Sequence, residues 1–232
     1  ELVEVAVKRI EEVDDKVNSL PIRCFERAFE QAKSFNKPRA SDNPKNLLGL
    51  PIVVKDYNDV GGVKTTYGSP IYRDYEPKES DATVNLLETR GAIPIAKSNV
   101  PEWAGGHTFN PVHGVTRNPW DTARSAGGSS GGSAVALATG QAWLATGNDL
   151  GGSLRTPAGF NGVTGLRPSP GIVPRGKRLQ PFDTLWVEGP MGRSIADVAL
   201  MLDAGAGCVA SDPLSFDSSV TSYLATLKNA QP

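Results

Sequence analysis

The sequence predicts an α/β domain built around a parallel β-sheet that helices cover. Two apolar runs rich in β-branched residues, 50–54 and 93–96, flank a helix that we expect to run from Asp81 to about Arg90, which is a βαβ pattern. A glycine-rich segment at 127–133 leads directly into a run of good helix formers. Units of this kind form parallel sheets whose ligands lie outside the carboxyl ends of the strands.

Two amphipathic helices are expected ahead of the first strand. Apolar residues between Val3 and Val17 recur with the 3.6-residue period, and Glu, Lys and Arg lie between them. An i, i+3, i+4, i+7 repeat between Phe25 and Ala32 predicts a second helix. The polar stretch 34–46 that follows is expected to be a loop or a linker.

The second half of the chain is rich in turns. Residues Asn99 to Ser125 carry Pro, Gly and Asn without a period and predict a long ordered loop, a kind of segment that is usually functional. Glycine turns follow at 127–133 and 149–153. Ser194 is expected to cap a helix that runs to about Ala204.

Composition excludes several classes of function. The 24 Lys and Arg residues balance 25 Asp and Glu residues, so charge gives no support for binding nucleic acid or an anionic membrane. Cys24 and Cys208 lack the spacing of a zinc site or a disulfide framework. No apolar run is long enough to span a bilayer, and we expect a cytoplasmic protein by default. Because the chain begins at Glu1 rather than Met, a removed presequence remains open.

The glycine loops could indicate a phosphate-binding loop or a GxSxG nucleophile motif, but the detailed pattern supports neither. Neither loop has the GxxxxGK[ST] or GxGxxG spacing of a phosphate-binding loop. Residues 128–132 match GxSxG around Ser130, but that nucleophile motif needs a histidine further along the chain. The chain has two histidines, His107 and His113, and both precede the serine. A histidine base is therefore disfavoured.

Lysine is the next candidate base for a serine nucleophile, since Ser-Lys pairs are an established variant. A lysine base must be uncharged near neutral pH, which requires burial or a neighbouring positive charge. Lys55 follows an apolar run that would carry it into the interior, whereas Lys64 and Lys97 lack such a run or look more exposed. A simple ion pair of Lys55 with Asp56 or Asp59 is the alternative, and periodicity favours neither.

Three motifs in this order and spacing resemble the amidase signature family. They are GLPIVVKD at 49–56, GGSSGGS at 127–133 and DLGGSLR at 149–155. The resemblance extends from about Leu2 to Leu214 and also takes in shorter segments: Asp81-Ala82-Thr83, KSNVPE at 97–102, TRNPWD at 116–121 and Gly189-Pro190-Met191.

The resemblance implies a fold and a catalytic triad. The fold is a mixed, largely parallel sheet flanked by helices on both faces. The triad is Ser153 as nucleophile, Ser129 as proton relay on a cis bond from Gly128, and Lys55 as base. A reaction of this type needs neither a metal nor an organic cofactor.

Further roles carried over from the family surround the triad. The N–H groups of Leu150, Gly151, Gly152 and Ser153 would form an oxyanion hole. Three residues are expected to give structural support, with a role for Arg155 in substrate binding as the alternative, and three others to wall the substrate pocket. The supporting residues are Asp149, Arg155 and Ser130, and the pocket residues are Trp103, Ala104 and Gly105.

Two departures from the family pattern bear on these expectations. Asn148 stands where the family commonly has Thr, and family members are usually about twice this length. We therefore expect a single amidase-type domain, 1–232, that is the N-terminal portion of a longer fold, with a helical arm at 1–46 and the catalytic core at 47–210. A molecule that ended here would have an open sheet edge, which favours association, for example as a homodimer.

The predicted function is hydrolysis of a carboxylic amide, with a small-molecule amide as partner and without direct contact with nucleic acid or membrane. Two alternatives stay open. One is the glutaminase subunit of a glutamyl-tRNA amidotransferase, although the loop PEWAGG at 101–106 resembles general amidases more. The other is a noncatalytic, truncated amidase-like scaffold.

Overall fold

The computed structural model describes residues 1–35, 43–176, 180–227 and 230. Eight strands are present in these ranges: β1 (Ile22–Arg23), β2 (Pro51–Lys55), β3 (Ile93–Ser98), β4 (Phe109–Asn110), β5 (Gly114–Val115), β6 (Leu144–Asp149), β7 (Thr164–Gly165) and β8 (Val187–Gly192). The helices are α1 (Leu2–Val17), α2 (Phe25–Ser34), α3 (Ala82–Thr89), α4 (Gly131–Ala138), α5 (Arg155–Asn161), α6 (Ile195–Gly205) and α7 (Tyr223–Leu227).

Six strands form one mixed sheet in the order β1–β3–β2–β6–β8–β7. The central strand β2 is parallel to both of its neighbours, β3 and β6. Strands β1, β7 and β8 pair in the antiparallel sense. The predicted βαβ unit is present as β2–α3–β3, and it brings the carboxyl ends of β2, β3 and β6 to one edge of the sheet.

Helices cover both faces of the sheet, as the sequence predicts. Alternation along β2 divides the core, because Val53 packs with α1, α2 and α4, while Ile52 and Val54 pack with α3 and α6. The strand is fully buried, which explains why its sequence reads as a continuous apolar run. The N-terminal segment 1–35 is thus part of the main core, and β1 extends the sheet.

The structure differs from several local predictions of helix caps and loops. Ser194 caps α6 in a capping box with Asp197, but Asp81 makes no side-chain cap at α3. Its carboxylate instead accepts a hydrogen bond from the Asp59 N–H at 2.9 Å. The predicted loop 34–46 falls largely on 36–42, which lies outside the described residues. Across the described ranges, no helix is both long and apolar enough to cross a bilayer.

Close backbone approach at α4 holds the glycine loop against the rest of the fold. A Cβ at Gly132 would lie 2.4 Å from Asn99 N and 2.7 Å from Ser19 O, both of them backbone atoms that cannot swing aside. The Gly132 N–H also donates to Asn99 O at 3.2 Å. The start of α4 is thereby fixed to the end of β3 and to the turn after α1.

We expect Gly132→Ala to lower the free energy of unfolding by at least about 2 kcal/mol, because the added methyl group must push backbone segments apart. Urea denaturation measures this loss. Gly159→Ala is the matched control: it lies in α5, its Cβ would have no neighbour within 4 Å, and alanine favours helix. Equal stability of the two variants would contradict the close approach at α4.

Candidate active site

Lys55 is the last residue of β2, and its side chain is completely buried. Its Nζ lies 2.7 Å from Ser129 Oγ and donates to Asn148 Oδ1 at 2.5 Å. The Tyr57 ring packs against the same amine, with its centroid 5.4 Å from Nζ. The apolar strand therefore carries a lysine into the interior, as expected from the sequence. Its amine is hydrogen-bonded to a hydroxyl and an amide oxygen rather than to a carboxylate.

Burial dominates the electrostatics of this lysine. It lowers the pKa of the Lys55 amine to about 7, although the carboxylates of Glu188 and Asp149 act in the opposite direction. An amine with this pKa is substantially uncharged near neutral pH and can accept a proton.

A second buried lysine makes the ion pair that Lys55 does not make. Lys97 is as fully buried as Lys55, and its Nζ lies 2.8 Å from Asp56 Oδ1 and donates to Thr65 Oγ1 at 2.7 Å. The expectation that Lys97 is more exposed is therefore wrong, because β3 extends to Ser98 and keeps this residue inside the sheet. Asp56 takes Lys97 as its partner, and the alternative of a Lys55–Asp56 pair is not realised.

The glycine loop delivers Ser129 to the Lys55 amine. The peptide bond between Gly128 and Ser129 is cis. A Cβ at Gly128 would collide with the carbonyl oxygen of Gly106, so only glycine fits where this loop passes the loop at 103–107. Ser130 N donates to Ser153 O at 3.2 Å, which places the second glycine turn directly beside Ser129.

Asp149 organises the turn that carries Ser153. Its buried carboxylate accepts two hydrogen bonds from Arg155, at 3.0 Å each, and one from Arg167 at 3.2 Å. Burial alone would raise the pKa of Asp149, but the bonds from Arg155 and from the Gly152 and Leu154 N–H groups hold it well below its usual range. The Asp149–Arg155 pair thus braces the turn, and Arg167 is a further brace that sequence reasoning missed.

The donors expected to form an oxyanion hole are not all free. The Gly152 N–H donates to Asp149 Oδ1 at 2.8 Å, so it is committed to the turn itself. The expected set of four donors is thereby reduced to Leu150, Gly151 and Ser153, whose N–H groups make no hydrogen bond to the described part of the chain. The Ser153 hydroxyl likewise has no hydrogen-bond partner there, and no bond links it to Ser129.

The expected pocket loop at Trp103, Ala104 and Gly105 adjoins these elements. Trp103 and Ala104 adopt left-handed backbone angles, with φ of 51° and 59°, which non-glycine residues seldom adopt and which often mark functional segments. The Trp103 ring is half exposed and stacks on Tyr67 at a centroid distance of 5.9 Å. Tyr67 in turn meets Tyr57 edge to face at 5.7 Å, so an aromatic cluster runs from this loop to the lysine.

The histidines lie apart from this network. His107 Nδ1 contacts the Ser125 hydroxyl, and His113 Nε2 contacts the Thr66 hydroxyl at 3.2 Å. Because Thr66 donates its own proton to Asp56, it can only accept from His113. Neither histidine side chain is hydrogen-bonded to Ser129 or Ser153. Among the described residues, no group of three or more His, Cys, Asp or Glu side chains could hold a metal ion.

Sequence reasoning did not single out three buried polar residues that surround Lys55. Thr146 Oγ1 accepts from the Lys55 backbone N–H at 2.8 Å, Asn58 lies between Thr146 and Glu188, and Glu188 is a buried carboxyl group on β8. The sequence signal for Glu188 was an acidic residue within an apolar run, directly before Gly189.

Comparison with known proteins places this arrangement in a family. The Amidase family model matches residues 1–231. The chain belongs to the amidase signature family. It therefore belongs to a family of amide hydrolases and shares their mixed sheet flanked by helices.

Individual relatives of this amidase-family chain differ in function. It is 39% identical over 231 residues to the glutamyl-tRNA(Gln) amidotransferase A subunit of Trichormus variabilis, covering 98% of this chain and 47% of that protein. A structure of native peptide amidase from Stenotrophomonas maltophilia is 30% identical with a TM-score of 0.86, covering 97% of this chain and 49% of that chain.

A third similar structure comes from an inhibitor-bound vestigial protein complex that reveals the evolutionary origins of an s-triazine catabolic enzyme. It is 36% identical with a TM-score of 0.89, covering 98% of this chain and 50% of that chain. The chain spans about half the length of the curated relatives it matches.

The two buried lysines predict opposite effects on stability. Lys55→Met should raise the free energy of unfolding at pH 7, by on the order of 2 kcal/mol, because a group whose pKa is lowered by folding opposes folding below its unfolded pKa. This gain in the free energy of unfolding should have its largest value near and below neutral pH and should disappear towards pH 10. Lys97→Met should lower the free energy of unfolding by about 3 kcal/mol, since it leaves Asp56 buried and unpaired.

Denaturant titrations of both variants between pH 6 and 10 provide the measurement. A loss of stability in Lys55→Met that matches the loss in Lys97→Met would show that Lys55 is a paired structural cation.

Proposed function

We propose that this chain carries the catalytic residues of an amidase, which cleaves a carboxylic amide through an acyl-enzyme on Ser153. The observation that carries the proposal is the contact of 2.7 Å between the Lys55 amine, buried without a carboxylate partner among the described residues, and the Ser129 hydroxyl. Both groups adjoin a braced glycine turn with free N–H donors. The proposal gives Lys55 the role of general base, Ser129 that of proton relay, and the N–H donors of the turn that of oxyanion stabilisers.

The proposed reaction begins with the neutral Lys55 amine. Lys55 accepts the Ser129 proton while Ser129 accepts the Ser153 proton, and Ser153 Oγ forms a bond to the carbonyl carbon. The carbonyl π electrons move to oxygen, where N–H groups of the turn can stabilise the negative charge. When the C–N bond breaks, the proton returns from Lys55 through Ser129 to the leaving nitrogen. Water then cleaves the ester by the same proton path.

Residues beside the lysine support a directed proton path. Asn148 offers its Oδ1 as an acceptor to Lys55 Nζ, which occupies one N–H of the neutral amine. The lone pair can then face Ser129. Asn148 stands where the family commonly has Thr, and its amide oxygen can only accept, whereas a hydroxyl could also donate.

A second candidate is the glutaminase reaction of an amidotransferase A subunit. The 39% identity to such a subunit of Trichormus variabilis favours it. That role would need partner subunits to receive the ammonia. The PEWAGG loop, with its exposed Trp103, favours the general amidase.

The assembly and location of the whole protein belong to the same proposal. Complex formation is consistent with relatives that are amidotransferase subunits or members of a vestigial complex. A homodimer, a cytoplasmic location, and a chain divided into an arm at 1–46 and a catalytic core at 47–210 stay predictions of the sequence.

Covalent labelling tests the proposed nucleophile. A fluorophosphonate should modify wild-type Ser153, and Ser153→Ala should abolish labelling. Lys55→Ala should lower the labelling rate by at least about 10²-fold, most strongly near neutral pH, because the base is lost. His107→Ala is the control and should react like wild type. Labelling that survives Lys55→Ala but fails in His107→Ala would refute the proposed base.

The labelling rate should also depend on pH in a definite direction. Because the base must be uncharged, the rate should rise through about pH 7, the pKa of Lys55, and level off above it. Stopped-flow inactivation between pH 5 and 9 measures this profile. A rate that falls across this range would contradict a neutral amine as base.

Substrate assays separate the two candidate functions. Short aliphatic, aromatic and amino-acid amides should release ammonia or amine from the full-length protein without partners. Activity confined to glutamine in the presence of partner subunits and glutamyl-tRNA would assign the amidotransferase role instead.

A further inference from the structure

Glu188 is a buried acid that the proposed reaction does not use. It lies on β8 with only 3% of its surface exposed. Its Oε1 accepts from Trp186 Nε1 at 3.2 Å and lies 3.7 Å from Arg175 Nε, and its Oε2 accepts from Asn58 Nδ2 at 3.2 Å. Burying a carboxyl group is expensive, so a position deep in the sheet calls for a reason.

Sheet register places Glu188 next to the lysine site. In the antiparallel pair β6–β8, Glu188 is directly opposite Asn148, and residues in such a pair point to the same face. Asn148 holds the Lys55 amine. Three adjacent strands therefore supply Lys55, Asn148 and Glu188.

A chain of hydrogen bonds also joins Glu188 to the backbone of Lys55. Asn58 donates to Glu188 through Nδ2 and accepts from Thr146 Oγ1 through Oδ1 at 3.3 Å. Thr146 Oγ1 accepts from the Lys55 N–H at 2.8 Å, and the Asn58 N–H donates to Lys55 O at 2.9 Å. The carboxylate, the amide and the lysine are thus held in one fixed geometry.

We propose that Glu188 is a positioning residue whose negative charge, held by Asn58 across the strands, keeps the buried Lys55 amine basic enough to accept the Ser129 proton. This inference rests on the proposed amidase function and names a residue that regulates its base. Glu188 touches neither Ser129 nor Ser153, so it acts through Lys55.

The other carboxylates near Lys55 have closer cationic partners than Glu188 has. Asp149, at the end of β6, lies 3.0 Å from Arg155 Nε, and Asp56, the residue after β2, lies 2.8 Å from Lys97 Nζ. The distance from Arg175 Nε to Glu188 Oε1 is 3.7 Å. Within the described ranges, the other titratable side chain against the amine is Tyr57, whose pKa burial raises well above its usual range, so that it stays neutral.

A further charge near Glu188 is Arg175, which lies over the Trp186 ring at 4.4 Å. The Glu188 carboxylate opposes the effect of burial on the pKa of Lys55, and it does so more strongly than the Asp149 carboxylate. Burial also raises the pKa of Glu188, and Arg175 acts against this.

Removal of the charge should therefore make Lys55 a weaker base. In Glu188→Gln, the pKa of Lys55 should fall by about one pH unit, because a nearby anion favours the protonated amine. The acid limb of Ser153 labelling should move to lower pH by the same amount. The limiting rate above that limb should also decrease, since a weaker base accepts a proton less readily. A purely structural role would lower the rate without moving the limb.

Two measurements on the full chain test this. The ¹³Cε resonance of Lys55, assigned with Lys55→Met, reports its pKa without any substrate. Fluorophosphonate labelling from pH 5 to 9 reports the kinetic limb. Glu188→Asp keeps the charge and should retain most of the wild-type pKa. Asp203→Asn is the matched control: it removes a carboxylate that is also buried but bonds to Ser222, and it should leave Lys55 unchanged.

An unchanged or higher Lys55 pKa in Glu188→Gln would overturn the inference. If that variant does not fold, the ¹³C carboxyl titration of Glu188 in the wild-type protein decides. A Glu188 carboxyl group that is ionised at pH 8 supports the inference, and one that stays protonated from pH 5 to 8 overturns it. Failure of the proposed function is distinct, since wild-type Ser153 would then not be labelled, whatever the Lys55 resonance shows.

Discussion

The contact between the buried Lys55 amine and the Ser129 hydroxyl is the interaction on which the proposed site depends. Lys55 reaches Ser129 because β2 is buried on both faces, and the same burial lowers the pKa of its amine to about 7. The neighbouring carboxylates of Asp56 and Asp149 are each matched to another cation, which keeps them from restoring a full charge to Lys55.

Two lysines at adjacent strand ends illustrate how partners decide chemistry. Lys55 and Lys97 have the same burial and lie on paired strands, yet Lys97 meets a carboxylate, whereas Lys55 meets an amide oxygen and a hydroxyl. An ion pair favours the protonated amine, whereas neutral acceptors leave burial to favour the free base. The difference between the two lysine sites therefore follows from which side chain accepts a hydrogen bond from the amine, rather than from depth within the fold.

The sequence could predict much of this arrangement and not all of it. Periodicity located α1, α2 and the βαβ unit, and the three motifs named Lys55, Ser129 and Ser153. The predicted exposure of Lys97 was wrong, since a charged residue after a short apolar run gives no sign that the strand continues. Sequence reasoning also missed Glu188 and Arg167, because their proximity to the site depends on the antiparallel register of β6 with β8 and on a loop return. Long-range pairing of this kind leaves no local pattern.

The close packing of α4 against distant parts of the chain bears on when the proposed base can form. The loop with Ser129 is held against Asn99 and against Ser19 at the turn after α1, segments that are more than 30 and more than 100 residues away along the chain. A nascent or partly unfolded polypeptide lacks these contacts and leaves its lysine hydrated, hence protonated and inert at neutral pH. The proposed base is therefore formed by the tertiary structure and not by the local sequence around Lys55.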